Sequence, residues 1–293
     1  MKTAIIGALL VLTTLVSGCG AMRLAYDRAP DVVYWWVDGY VDFDDAQSER
    51  ASVALDRYFD WHRRTQLPDY AALLGRASRQ VGGAEPATGA VMCRWADEVG
   101  ARIPALVEQA LPMVAGLATT LTPEQLRHVE RKYEKTNAKY RDEYLQPDPA
   151  DRLDAAVERV VDRAESVYGG LDDTQTALVR RLVGASPFDP AVWLAERQQR
   201  QRELLAALRR LQAASAPPAE VQATLRTLVA RMQVSPREPY RRYAERLRAY
   251  NCELAAQLHN ATTPKQRRKA AERLDGWAND FRALTAARAA SAP

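Results

Sequence analysis

Past residue 44 the apolar residues recur at spacings of three and four, and no stretch alternates with a period of two. That pattern restricts the chain to helices, because only a turn of about 3.6 residues brings such positions onto one face. Leu126, Val129, Tyr133, Tyr140 and Tyr144 form one stripe, and Leu274, Trp277, Phe281 and Leu284 a second. Leu204, Leu208 and Leu211 form a third, on a helix expected from Asp189 to about Ala213. Proline or glycine cuts the pattern at Pro68, Gly82-Gly83, Pro86, Pro147/Pro149, Gly169-Gly170, Pro187/Pro190, Pro217-Pro218 and Pro236/Pro239. The expectation is an all-α multi-helix bundle of roughly ten to twelve helices, with residues 45–290 as a single helical domain.

Four of the expected helices begin with the same chemistry. Asp44 and Gln47, Thr122 and Gln125, Asp172 and Gln175, and Thr263 and Gln266 are each spaced as a capping box, in which the two side chains satisfy backbone N–H groups at a helix start. Pro123 and Pro264 occupy the first helical position, where a missing N–H costs nothing. The intervals between the boxes are unequal, which argues against a solenoid. The segment "LTPEQ" (121–125) also resembles the Leu-Thr-x-x-Gln motif of Spy-type periplasmic chaperones, small helical proteins that hold unfolded clients on a concave surface.

The N-terminus sets the compartment. Lys2 precedes an apolar run from Ala4 to Val16, the length of a signal peptide and short for a membrane span. Val16-Ser17-Gly18-Cys19 resembles the lipobox of bacterial lipoproteins. The resemblance implies a signal peptide over residues 1–18, acylation of Cys19 by diacylglycerol and palmitate, and membrane association through those acyl chains. Gly20, in place of the aspartate that retains such proteins at the inner membrane, implies the outer membrane, with the body facing the periplasm.

Residues 19–44 form the tether and carry "YWWVDGYVDFDDAQ" (34–47), with aromatics crowded among aspartates. Pro30 suits the start of a short helix. On it Val33, Trp36 and Val37 share a face, with Trp35 and Asp38 to one side. Three roles suit these rings: packing into the core of the following helices, lying at the membrane interface, or forming a protein-docking patch of Tyr34, Trp35, Trp36 and Tyr40.

The remaining composition mainly excludes. A formal charge of +4 is too small to imply nucleic acid. Acids dominate from Cys19 to Asp60, and arginines dominate beyond Trp193, so the two ends of the chain can attract each other. With Cys19 used by lipid, Cys93 and Cys252 remain as an even pair in an oxidising compartment and are expected to form a disulfide. The three histidines, His62, His128 and His259, are scattered. No zinc spacing, nucleophile elbow or phosphate loop accompanies them, so the expectation is no metal, no cofactor and no evident small-molecule substrate. His62 sits beside Arg63 and Arg64, which would lower its basicity. Glu165-Ser166 resembles the catalytic Glu-Ser pair of lytic transglycosylases, but the glycine-rich segment that accompanies it there is missing.

Taken together, "GCGAMRLAYDRAPDVVYWWVDGYVDFDDAQ" (18–47), "WHRRTQLPDYAALL" (61–74), "LTPEQLRHVERKYEKTNAKYRDEYL" (121–145) and "CELAAQLHNATTPKQRRKA" (252–270) resemble a family of uncharacterised proteobacterial α-helical lipoproteins. That resemblance implies the anchor and the fold class and supplies no mechanism. The leading functional expectation is a non-enzymatic scaffold or accessory subunit that binds another envelope protein. The alternatives are a Spy-like holdase and, more remotely, a lytic enzyme acting on peptidoglycan.

Overall fold

A computed structural model describes residues 21–290; Cys19 and the apolar run from Ala4 to Val16 lie outside them. Thirteen helices follow one another: α1 (Ala21–Asp27), α2 (Ala29–Val41), α3 (Asp45–Thr65), α4 (Leu67–Val81), α5 (Gly89–Gly100), α6 (Ile103–Ala118), α7 (Pro123–Tyr144), α8 (Pro149–Tyr168), α9 (Asp173–Gly184), α10 (Pro190–Ala213), α11 (Pro218–Gln233), α12 (Glu238–Asn260) and α13 (Pro264–Ala290). No strand occurs among the described residues. Only Arg28 divides α1 from α2. The backbone ladder continues through it, from Arg28 N–H to Leu24 O at 3.3 Å and from Val32 N–H to Arg28 O at 3.0 Å. The two therefore form an almost unbroken rod.

All four expected capping boxes form. Gln47, Gln125 and Gln175 receive backbone N–H groups on Asp44, Thr122 and Asp172 in the reciprocal manner. Thr263 N–H donates to Gln266 Oε1 at 2.8 Å, and Gln266 N–H donates back to Thr263 Oγ1 at 3.2 Å.

Tertiary packing is nested. α4 packs on α13, α5 on α12, α6 on α11, α7 on α10 and α8 on α9. The chain runs out through its first half and returns alongside itself through its second. The turning point is Gly169-Gly170, where Gly169 has φ +82° and no side chain to resist it. Long-range polar contacts follow the same scheme: Arg248 meets Asp97, Arg226 meets Glu108 at 2.8 Å, and Arg209 meets Glu130 at 2.6 Å. Arginines of the second half thus pair with acids of the first. Asp27 and Asp60, by contrast, pair locally with Arg63 and Arg64.

The scheme also maps onto itself when α2–α7 are exchanged with α8–α13. α2 packs on α3 as α8 does on α9, α2 on α7 as α8 on α13, and α3 on α6 as α9 on α12. The capping boxes mark the equivalent places. Gln47 Nε2 donates to Thr120 O at 2.9 Å and to Gln125 Oε1 at 3.2 Å, while Gln125 Nε2 donates to Asp42 O at 2.8 Å. In the second half Gln175 Nε2 donates to Ala261 O at 2.9 Å and to Gln266 Oε1 at 2.8 Å, while Gln266 Nε2 donates to Gly170 O at 2.9 Å. Even a ring contact recurs, Tyr70 with Phe281 and Trp193 with Tyr140. Helices α2–α13 are therefore two six-helix repeats, with α4–α7 of one laid against α10–α13 of the other.

Two apolar clusters fill the interior. Leu111, Ala115, Leu211, Ala216, Val221 and Leu225 join α6, α10 and α11, and Val157, Ala164, Val179 and Leu258 join α8, α9 and α12. Where α6 meets α11 through the first cluster, the equivalent α12 and α5 are joined covalently. Cys93 and Cys252 form the expected disulfide, their Cα atoms 5.3 Å apart.

Candidate functional site

The aromatic segment occupies α2. Pro30 lies in its first turn, and it ends at Asp42, held at φ 62°. The helix packs inward with only part of its aromatic load. Tyr34 stacks on Phe43 with ring centroids 6.4 Å apart, and Tyr40 meets Tyr133 of α7 at 6.0 Å, with Lys132 Nζ 5.5 Å above its ring. Trp35 and Trp36 remain 67% and 66% exposed. Core packing therefore holds for Tyr34 and Tyr40 and fails for the two tryptophans. α2 packs on α3 and α7, and both indoles lie outside that packing. Trp36 leaves the face it was expected to share with the half-buried Val33 and Val37, and its ring touches Tyr40 at 5.1 Å. The four candidate patch residues thus form two outward tryptophans and two half-buried tyrosines.

Through Tyr40 and Tyr133 the aromatic contacts lead into a cleft between α7, α10, α11 and α12. Its volume is about 210 Å³, and its walls include Tyr133, Trp193, Tyr240, Leu204 and Met232, with Glu196, Arg197 and Arg200 among them. Trp193 stacks on Tyr140 at 4.8 Å, and Tyr140 on Tyr144 at 4.5 Å. Burial pushes the Tyr140 phenol up to about 12, with the neighbouring Tyr144 adding to it. Tyr133 is raised for the same first reason.

Glu196 is the cleft's buried charge. It accepts from Arg237 Nε at 2.6 Å and from Arg200 Nε at 2.9 Å, and Arg237 reaches Glu203 at 2.7 Å as well. Burial alone would push this carboxyl up. Hydrogen bonds from Arg237, Ser235 and Arg200 outweigh that and hold it below the ordinary carboxylate range. Arg197 differs. It lies over the rings of Trp193 at 5.6 Å and Tyr140 at 6.0 Å and meets no carboxylate among the described residues. The cleft thus joins apolar walls, a locked acid and one guanidinium available to an anion. The tyrosine stripe was legible in the sequence. The cleft was not, because α10 and α12 reach Tyr133 from distant parts of the chain.

The other sequence candidates have structural employment. Glu165 Oε1 accepts from Leu171 N–H at 3.0 Å, and Ser166 Oγ donates to Arg163 O at 2.7 Å, so the pair shapes the turn after α8. His62 Nδ1 lies 2.8 Å from Tyr26 Oη within a cluster of rings, and burial lowers its basicity. The arginines beside it in sequence are not the cause: Arg63 and Arg64 turn to Asp27 and Asp60. His259 Nδ1 lies 3.0 Å from Tyr168 Oη. His128 lies near Asp42 at 3.9 Å. Among the described residues no group of three or more His, Cys, Asp or Glu could hold a metal ion, and no helix is long and apolar enough to cross a membrane.

The model of a family of unknown function, DUF6279, matches residues 39–241. The chain belongs to this family. The DUF6279 match spans every residue named in the cleft and begins after Trp35 and Trp36. No curated protein and no solved structure matches the chain.

Proposed function

We propose that this DUF6279 protein is a periplasmic lipoprotein, held to the outer membrane through Cys19, that acts without chemistry as a scaffold or accessory subunit for another envelope protein. The observation that carries this reading is the cleft. An unpaired arginine between aromatic walls suits a carboxylate-bearing side chain or chain end of a protein partner, since tyrosine, tryptophan and arginine are the residues on which interfaces most depend. A volume of about 210 Å³ takes one or two side chains, well below the concavity that holding an unfolded client requires. That favours the scaffold over a Spy-like holdase. The carboxylate a lytic enzyme would need, Glu165, is engaged by the backbone of Leu171.

Met232 lines the cleft and is 40% exposed, so it is the place for a photo-crosslinking residue in intact cells. One dominant captured envelope protein, lost on Arg197→Ala, is the expected result. A broad set of unrelated proteins, captured equally by Arg197→Ala, would replace the scaffold with the holdase.

A further inference from the structure

The α1–α2 rod carries a surface that the cleft does not use. Leu24, Val32, Trp35 and Trp36 are 62%, 56%, 67% and 66% exposed. Their spacing places them on one side of the continuous helix. Two charges fall within that stripe, Arg28 and Asp31, and they pair with each other at 3.6 Å. At its margin Arg23 pairs with Asp280 at 3.2 Å, and Asp27 with Arg63 at 2.7 Å. The stripe is apolar, and its charges are neutralised in place.

The internal repeat supplies a comparison. α8 holds the place in the second repeat that α2 holds in the first, and its exposed residues include Asp151, Asp154, Glu158, Asp162 and Arg163. The architecture therefore does not require outward tryptophans at this position. Of the two equivalent helices only α2 has them, and it continues the rod nearest the proposed anchor. α1 begins at Ala21, two positions after Cys19. At about 1.5 Å per residue, Trp35 and Trp36 lie within about 25 Å of that end.

We infer that the Leu24–Val32–Trp35–Trp36 stripe seats the body on the lipid bilayer, the rod lying in the interfacial plane with both indoles at headgroup depth. Tryptophan suits that depth because it joins a large apolar ring to an N–H that stays hydrated. An in-plane helix binds through an apolar side of this kind. Acylation of Cys19, from the reading above, would hold the rod against the surface. The stripe adds orientation: it fixes which side of the protein faces away from the membrane.

The test uses the mature full-length protein in phosphatidylethanolamine/phosphatidylglycerol vesicles whose acyl chains carry bromine at shallow or deep positions. Shallow bromines should quench tryptophan emission. Trp35→Ala/Trp36→Ala, which removes rings outside the core, should lose that quenching while keeping its far-ultraviolet circular dichroism. Val32→Glu, which keeps both indoles, should weaken it. Quenching that is absent, or unchanged in both variants, overturns the inference and leaves the stripe to a protein partner. The mass of the N-terminal fragment reports acylation separately. An unacylated chain with quenching that depends on Trp35 and Trp36 keeps the bilayer seat and discards the anchor; an acylated chain without such quenching does the reverse.

Discussion

Gln47 and Gln175 each close a helix start and then reach across to a second one. Gln47 is 1% exposed and Gln175 3%, so neither amide can exchange its protein partners for water. Gln47→Ala would leave Thr120 O and the Asp44 N–H without their partners, at a cost of about 2–3 kcal/mol. Chemical denaturation of the variant measures it, and Gln175→Ala should cost a similar amount. Gly169→Ala should cost about 1–2 kcal/mol, because φ is +82° there while the Lys269 side chain can swing aside. His62 and His259 titrate below the ordinary 6.5, with burial the main cause and Arg267 adding to it for His259. The unfolded chain then takes up these protons more readily than the fold. Stability is complete above about pH 6.5 and falls as pH drops through the lowered folded values. Melting temperature should fall over that window, and His62→Gln/His259→Gln should flatten the curve.

At the scale of single helices most of the fold is legible, because caps and stripes are local. Asp189 and Ala213 bracket α10 as periodicity and capping indicate, and the four boxes form where their spacing puts them. What stays hidden is which boxes meet. Gln47 and Gln125 are 78 residues apart, and neither carries a mark of the other. Apolarity misleads at α2 for a related reason. It indicates that Trp35 and Trp36 avoid water, but whether protein covers them depends on how far α3 and α7 extend. The cleft is equally opaque, because Glu196 on α10 meets Arg237 from the turn before α12, 41 residues away. Their clamp gives a prediction of its own. Glu196 is held ionised below the ordinary carboxylate range, so its contribution is present at neutral pH and is lost as acid protonates it. Glu196→Gln should lower stability at neutral pH by about 2 kcal/mol, discounted because Arg200 and Arg237 are partly solvated. Its acid unfolding curve should be flatter than that of the unaltered protein.

At the scale of the whole molecule the two repeats are joined by four helix pairings, α4 with α13, α5 with α12, α6 with α11 and α7 with α10. The disulfide closes a separation of 159 residues, and the chain-entropy model assigns such a loop about 5 kcal/mol. Denatured, unreduced protein should show no reactive thiol from Cys93 or Cys252, and Cys93→Ser/Cys252→Ser should melt well below the oxidised form. A protease site inserted between the exposed Pro147 and Asp148 separates the repeats covalently. The cut halves should still co-elute under reducing conditions, since α4–α7 lie against α10–α13. The same nesting governs how the protein is made. α4 leaves the ribosome well before α13, the helix it packs against. A premature stop codon before Pro264 therefore leaves the early part of the polypeptide without its counterpart. Losing α13 leaves α4 unpacked although α4 itself is made in full, so an early segment waits on a late one for its shape.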